Sequence, residues 1–341
     1  MHRKTRFGRG GNLHFVVAVL GIAAFIVPVD GPAHAGTFIT FDPPDSVAVL
    51  RTVINAKGEV AGSYISSQNG DSGFLRNTDG TFKTFHVRKS EITSANDING
   101  KRQIAGYQYS QKRGGRCFYL KTRGQVLTCG PLSVNDSSGA SLNTVGTVTG
   151  SFDDDQGTHG FLWDDQNGTT SIFDAPGAIE TEPVSINDNG DLTGFCTLAD
   201  EKTHGFMRDA VGNITEFDVP SATGTDPESI NASGTIAGYY SGSDGHLHGF
   251  VRDVAGNITV FDPQGASGTT VFSMNGKGAI VGSFNDSLGV HGFERTARGK
   301  ITTIDVPGAT SGTTAFDIDN AGQITGVYND ASGSHGFLLL P

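Results

Sequence analysis

Five histidines each open a His-Gly-Phe run: His159, His204, His248, His291 and His335. An imidazole beside a carboxylate can relay a proton or hold a metal ion, so what stands near these residues matters first. Asp218, Asp262 and Asp305 follow His204, His248 and His291 at 14 residues, and Asp174 follows His159 at 15. Where the His is absent the Asp is absent too, since Ser72 is matched by His86 and Arg116 by Gly130. Positions that appear and vanish together within one chain imply contact across a hairpin. His335 has no Asp after it, whereas the run Phe38–Asp42 ends in Phe-Asp with no His before it. This predicts that Phe38–Asp42 pairs with Ser334–Leu339 and that His335 meets Asp42. Identical residues spaced one per repeat around a ring cannot converge on one ion, so the pairs read as structural clasps. A clasp satisfies polar groups that are costly to bury alone.

Three other groups carry possible chemistry. Asp153, Asp154 and Asp155, followed by Gly157, offer oxygens of the kind Ca2+ takes. The run lacks a distal bidentate Glu, and the other repeats have only Asp244, Asp286 or Asp330 in that loop. A solvated acidic turn is therefore the preferred reading and calcium the alternative. Cys117 and Cys129 lie on two strands of one hairpin centred on Arg123, in the register that pairs Phe118 with Thr128. They face each other closely enough for a disulfide, which is favoured over two free thiols, while Cys196 reads as a small buried residue. From Arg76 to Gln125 there are 11 Lys+Arg against 3 Asp+Glu, within a chain of net charge −11. Tyr107, Tyr109, Lys112, Arg113 and Arg116 in that stretch form a candidate site for an anionic glycan, lipid head group or protein. A solvated charged loop is the bland alternative. No nucleophile elbow, zinc-protease helix or phosphate loop occurs.

The elements that must position these residues come from a repeat. The seven phenylalanines Phe74, Phe118, Phe161, Phe206, Phe250, Phe293 and Phe337 step by 44, 43, 45, 44, 43 and 44 residues. Each repeat contains four β-prone runs broken by Asn-x-x-Gly turns, Asp-x-x-Gly-Asn turns and a Pro-Gly crossover, and no stretch has helical periodicity. Four strands per ~44 residues match a β-propeller blade, whose repeats run about 40–45 residues. The fold expected is all-β: one seven-bladed β-propeller over residues 36–341, closed by the N-terminal strand pairing in the last blade. His-Gly-Phe would be the third strand out from the axis.

The runs ITxFDxPGA, sINxxGxIxGxY and HGFL resemble the extracellular HAF repeat family, named for a His-x-Phe signature; here the middle residue is Gly at every intact copy. The resemblance covers essentially the whole chain after residue 35. It implies an exported bacterial repeat protein and carries no catalytic residues to transfer. The repeats around Phe74 and Phe118 depart from its pattern.

Residues 1–35 read as a secretory signal peptide. Arg3, Lys4, Arg6 and Arg9 precede an apolar run from Phe15 to Val27, and Ala33-His34-Ala35 offers a cleavage site. The apolar run is shorter than the ~20 residues a membrane span needs. A secreted or periplasmic monomer without a transmembrane segment is expected. Without residues 1–35 the chain carries 20 Lys+Arg and 34 Asp+Glu, an acidity that argues against nucleic acid as partner. The leading function is a non-enzymatic binding or scaffolding module with no required cofactor. The alternative is an extracellular hydrolase or lyase acting on polysaccharide, with carboxylates at the channel mouth.

Overall fold

The computed structural model describes His34, residues 36–132, Val134 and residues 136–341; apart from His34, the expected signal peptide lies outside them. Among the described residues the chain is all-β, with 28 strands and no helix. They fall into seven sets of four. The fifth set shows why the sequence folds this way. Gly224–Ile230, Ile236–Ser241, Leu247–Arg252 and Ile258–Phe261 run antiparallel in sequence order. Between the first two, Gly234 donates its N–H to the Asn231 carbonyl at 3.0 Å with φ at +80°, a conformation open to glycine. The Asn231 side-chain oxygen takes the N–H groups of Ser233 and Thr235, at 3.0 and 3.1 Å. The register then slips between Pro227 and Ser229, so that Glu228 is an extra, bulged residue. All the other sets carry a slip in the same pair of strands.

The seven repeat phenylalanines are each 0% exposed and form the centres of the successive hydrophobic clusters. Polar links join one set to the next. The Asn55 amide donates to the Asn99 carbonyl at 3.1 Å, Asn99 to Asn143 at 3.0 Å and Asn187 to Asn231 at 3.0 Å. Two residues earlier, a Ser or Asp accepts a backbone N–H from the following set: Asp97 from Leu142, Ser185 from Ile230 and Ser229 from Met274. Asp317 of the last set accepts the N–H of Ile54 in the first, at 2.8 Å. The Ser-Ile-Asn phrase of the repeat is thus an inter-set latch, and the first strand of the last set lies beside that of the first.

The last set draws its fourth strand from the start of the chain. Thr37–Phe41 pairs antiparallel with Gly333–Leu340, from Thr37 opposite Leu340 to Phe41 opposite Gly336. Single parallel bridges, Asp71 to Ile92 and Thr158 to Glu180, join the first set to the second and the third to the fourth.

Candidate functional site

Each strand set turns back at two ends. At one end lie the short Asn-x-x-Gly and Asp-x-x-Gly turns. At the other lie the loop between second and third strands and the crossover to the next set. The repeat histidines stand at this second end, because His-Gly-Phe opens the third strand. His159, His204, His248, His291 and His335 approach Asp174, Asp218, Asp262, Asp305 and Asp42 through Nδ1 at 2.8, 2.9, 2.7, 2.8 and 2.9 Å. The other ring nitrogen meets a second carboxylate that sequence reasoning missed in this role: Asp154, Asp200, Asp244, Asp286 or Asp330, at 3.1–3.2 Å. The signal was present, since an Asp stands four or five residues before each His. Four of the rings also lie against the aromatic residue directly across the ladder, Phe152, Tyr240, Phe284 or Tyr328. Four of the imidazoles are hydrogen-bonded on both nitrogens, which leaves them no role as a free base, whereas Nε2 of His291 lies 3.2 Å from Asp286 without making a hydrogen bond. In the second set none of this exists, and in the first Ser72 meets His86 at 3.3 Å.

The acidic run does not gather on one point. Asp153 accepts the Thr158 hydroxyl at 2.8 Å, Asp154 takes the Gln156 N–H and His159, and Asp155 is exposed. Cys117 and Cys129 are disulfide-bonded with Cα atoms 5.1 Å apart, and Cys196 is free and buried opposite His204. Burial pushes the Cys196 thiol up to about 12, with Glu216 and Asp218 adding to the effect.

The second set, which lacks the clasp, holds a cavity of about 380 Å3 at the same end of the strands. Arg88 and Lys89 reach it from the crossover that precedes the set, and Arg113 and Arg116 from its own second loop and third strand. Ser90, Gln108, Ser110, Thr128 and Tyr109 supply hydroxyl and amide groups, and Leu132 closes one edge. The disulfide stands between Arg116 and Thr128, fixing that wall, and Arg116 donates to the Val134 carbonyl. Three of the residues singled out from sequence line the cavity, Tyr109, Arg113 and Arg116, but Lys112 and Tyr107 do not. Lys112 is exposed on the loop. Tyr107 faces Asp136 across Gly115, and burial, then Asp136 and Tyr109, push its hydroxyl up to about 12. Depth along the strand separates the two tyrosines: Tyr109 pairs with Gly115 next to the loop, whereas Tyr107 pairs with Cys117 two residues deeper, and Gln108 and Tyr109 reach the cavity.

Among the described residues, Arg88, Lys89, Arg113 and Arg116 have no carboxylate within 4.0 Å. Elsewhere in the same stretch Arg102 pairs with Glu59, and Lys121 with Asp165 at 2.8 Å. Cations pooled without direct ion-pair partners repel one another, a cost that a bound anion relieves.

A second group went unread in the sequence. Glu182 and Asp226 occupy equivalent places on neighbouring first strands, and Glu228 is the bulged residue beside Asp226. Burial raises Glu228 to about 8, against the pull of Arg51 and with Asp226 adding to it. Burial and then Glu180, Asp153 and Asp226 raise Glu182 to about 7, and burial raises Asp226 to about 6. Carboxyls on first strands are crowded together because those strands lie side by side.

No family model matches the chain, and no curated protein sequence matches it. Solved structures do. A streptogramin B lyase superposes with a TM-score of 0.59 at 13% identity, over 89% of this chain and 97% of its own. Virginiamycin B lyase from Staphylococcus aureus gives 0.60 at 12% identity, over 89% and 99%. TolB from Acinetobacter baumannii gives 0.50 at 12% identity, over 82% and 79%. Likeness at such identity speaks to the fold: the chain is all-β and propeller-like.

Proposed function

We propose that this chain is an exported seven-bladed β-propeller of the HAF repeat type, and that it works as a binding module whose ligand site is the basic cavity of the second blade. The observation that carries the reading is the set of four cations, Arg88, Lys89, Arg113 and Arg116, lining one cavity with no carboxylate within 4.0 Å of them among the described residues. An acidic extracellular glycan fits best. Cations take its carboxylates or sulfates, Ser90, Gln108, Ser110 and Thr128 take its hydroxyls, and Tyr109 offers a ring face to a sugar. The volume of about 380 Å3 sits at the small end of the ~300–1,000 Å3 range of ligand sites, enough for a residue or two of a longer chain. The latch from Asp317 to Ile54 and the shared fourth strand support ring closure. The Cys117–Cys129 bond supports export, because oxidising compartments preserve such bonds.

A second reading, a hydrolase or lyase on such a polymer, draws on Glu182, Asp226 and Glu228, carboxyls held toward neutrality on the first strands. Calorimetry with polygalacturonate and sulfated oligosaccharides separates the two. The binding reading expects saturable heat without cleavage, about tenfold weaker in Arg113→Ala or Arg116→Ala, in line with ~1.5–3 kcal/mol for a charged hydrogen bond. Affinity should also fall with salt. Binding untouched by both substitutions would overturn the placement, and new reducing ends or unsaturated products would favour the enzyme.

A further inference from the structure

The joint between the first and second sets lacks a part that other joints possess. In four sets the last residue of the third strand is an arginine laid over the fourth-strand phenylalanine of the preceding set. Arg76 covers Phe41, Arg208 covers Phe173, Arg252 covers Phe217 and Arg295 covers Phe261, with guanidinium carbons 5.3, 4.9, 4.8 and 4.7 Å from the ring centroids. In the third set Trp163 takes the arginine's place and packs on Tyr119 at 5.0 Å. In the seventh, Leu339 meets Ile304 inside one apolar cluster. The second set alone pairs an aromatic floor, Phe85, with a short aliphatic residue, Leu120. A leucine is smaller than an arginine and has no planar group to lay on the ring. A cavity of about 170 Å3 lies there, with Leu75, Phe85, Ile104 and Leu120 among its lining.

The mouth of this cavity is positive. Arg102, Lys121 and Lys83 surround it. The first two are held by Glu59 and Asp165. Among the described residues Lys83 has no carboxylate within 4.0 Å. A cationic guest, which would mimic the missing guanidinium, therefore meets like charge. An anionic guest meets a free ammonium.

We propose that this cavity binds a small aromatic carboxylate, its ring on Phe85 and Leu120 and its carboxylate on Lys83. Size sets the limit. An apolar cavity of ~150 Å3 holds one benzene, so about 170 Å3 accepts a single ring and excludes a fused or drug-sized ligand. A ring edge or offset face against Phe85 replaces the stack that arginine makes at the other joints. The site lies at the short-turn end of the strands, opposite the larger basic cavity, and the inference stands independently of what that cavity binds.

The test titrates the purified protein with benzoate and 4-hydroxybenzoate, followed by calorimetry and saturation-transfer NMR, with benzamidinium as the cationic counterpart. A ligand of this size should bind with Kd on the order of 0.1–1 mM. Leu120→Arg rebuilds the missing stack and should abolish binding. Lys83→Gln, on an exposed residue whose loss leaves the fold intact, should weaken it about tenfold. Benzamidinium should not bind, and Arg113→Ala should leave benzoate affinity unchanged. The proposal is overturned by benzoate that does not saturate by about 10 mM, tenfold beyond the weakest expected Kd. It is equally overturned by affinity that survives both Lys83→Gln and Leu120→Arg, or by benzamidinium binding as well as benzoate.

Discussion

His335 holds its Nδ1 2.9 Å from both carboxylate oxygens of Asp42, a residue 293 positions away in sequence. The contact sits where the chain's first strand enters its last set, so a clasp that is local in four sets here ties the two ends together. The Asp42 side chain is 49% exposed and the His335 side chain 18%, so the ion pair itself contributes little. The adjoining Phe41, 8% exposed, packs edge-on to Phe74 at 6.0 Å under Arg76. Asp42→Ala should cost about 0.5–1 kcal/mol in urea denaturation, and Phe41→Ala about 3 kcal/mol or more. Equal costs would mean that the clasp, not apolar burial, holds the first strand.

Stability should decline as pH rises from about 5 to 9. At His248, hydrogen bonding to Asp262 raises the imidazole pKa above its ordinary value, against burial and with Asp244 adding. At His159, His204 and His335 burial pulls the other way, but the paired aspartates together outweigh it. A raised folded pKa gives stability that is complete below the unfolded value near 6.5 and lost as pH climbs through the folded one. Glu228 at about 8, Glu182 at about 7 and Asp226 and Asp317 at about 6 are raised too, so they act in the same direction. Asp154, Asp200, Asp244 and Asp330 are lowered, chiefly by backbone or hydroxyl donors in their own loops, and withdraw stability only in acid. Tm against pH checks this. Glu228→Gln should raise Tm at pH 9 while leaving pH 5 unchanged, and His248→Gln should flatten the slope.

The sequence exposed what repeats and hid what only the packing of neighbouring strand sets assembles. The phenylalanine period, the Asn-x-x-Gly turns and the His–Asp pairing are local or nearly so, and each can be read by laying one repeat on the next. The Asn99-to-Asn143 and Asp97-to-Leu142 links join residues about one repeat apart. They look like ordinary turn and strand residues until the sets are side by side. Glu182, Asp226 and Glu228 stayed hidden for the same reason. Their crowding arises between strands of different repeats, and the bulge that carries Glu228 is a register slip with no compositional mark. Tyr107 falls outside the cavity because it lies two residues deeper in its strand than Tyr109, beside Asp136, a depth that depends on the register with neighbouring strands and not on loop length.

The Cys117–Cys129 bond closes a 12-residue separation beneath the wall of the basic cavity. By the loop-entropy account such a bond contributes about 3 kcal/mol, and replacing both cysteines with serine should lower the denaturation free energy by that order. Cys196 is 0% exposed with its thiol pushed up to about 12 by burial, Glu216 and Asp218. Thiol titration should therefore find no reactive group in the native protein, one after unfolding without reductant, and three after reduction. One native thiol would mean that Cys196 is accessible, and two or three that the hairpin bond is open. Trp163, the chain's single tryptophan, shares the hydrophobic cluster of the disulfide and gives a fluorescence readout of the same event.

Gly249 and Gly292 fill the same place in adjacent His-Gly-Phe runs, yet they should not tolerate a methyl group equally. A Cβ on Gly249 would come within 2.6 Å of the Phe261 ring. That ring cannot simply step aside, because Arg295 covers it at 4.7 Å and Phe293 meets it edge-on at 6.0 Å. Gly292 faces Ile304 instead, and its added Cβ would lie 3.1 Å from the Ile304 carbonyl and 3.3 Å from its Cβ, a fit that shifts of a few tenths of an ångström relieve. Overpacking a filled core costs about 1–3 kcal/mol. Gly249→Ala should fall at the upper end of that span and Gly292→Ala at or below the lower end, measured by urea denaturation of the two variants. Losing the aromatic partner should remove the difference: in a Phe261→Leu background, Gly249→Ala should cost no more than Gly292→Ala. If the two glycines prove equally intolerant, backbone geometry rather than the phenylalanine excludes a side chain from the run.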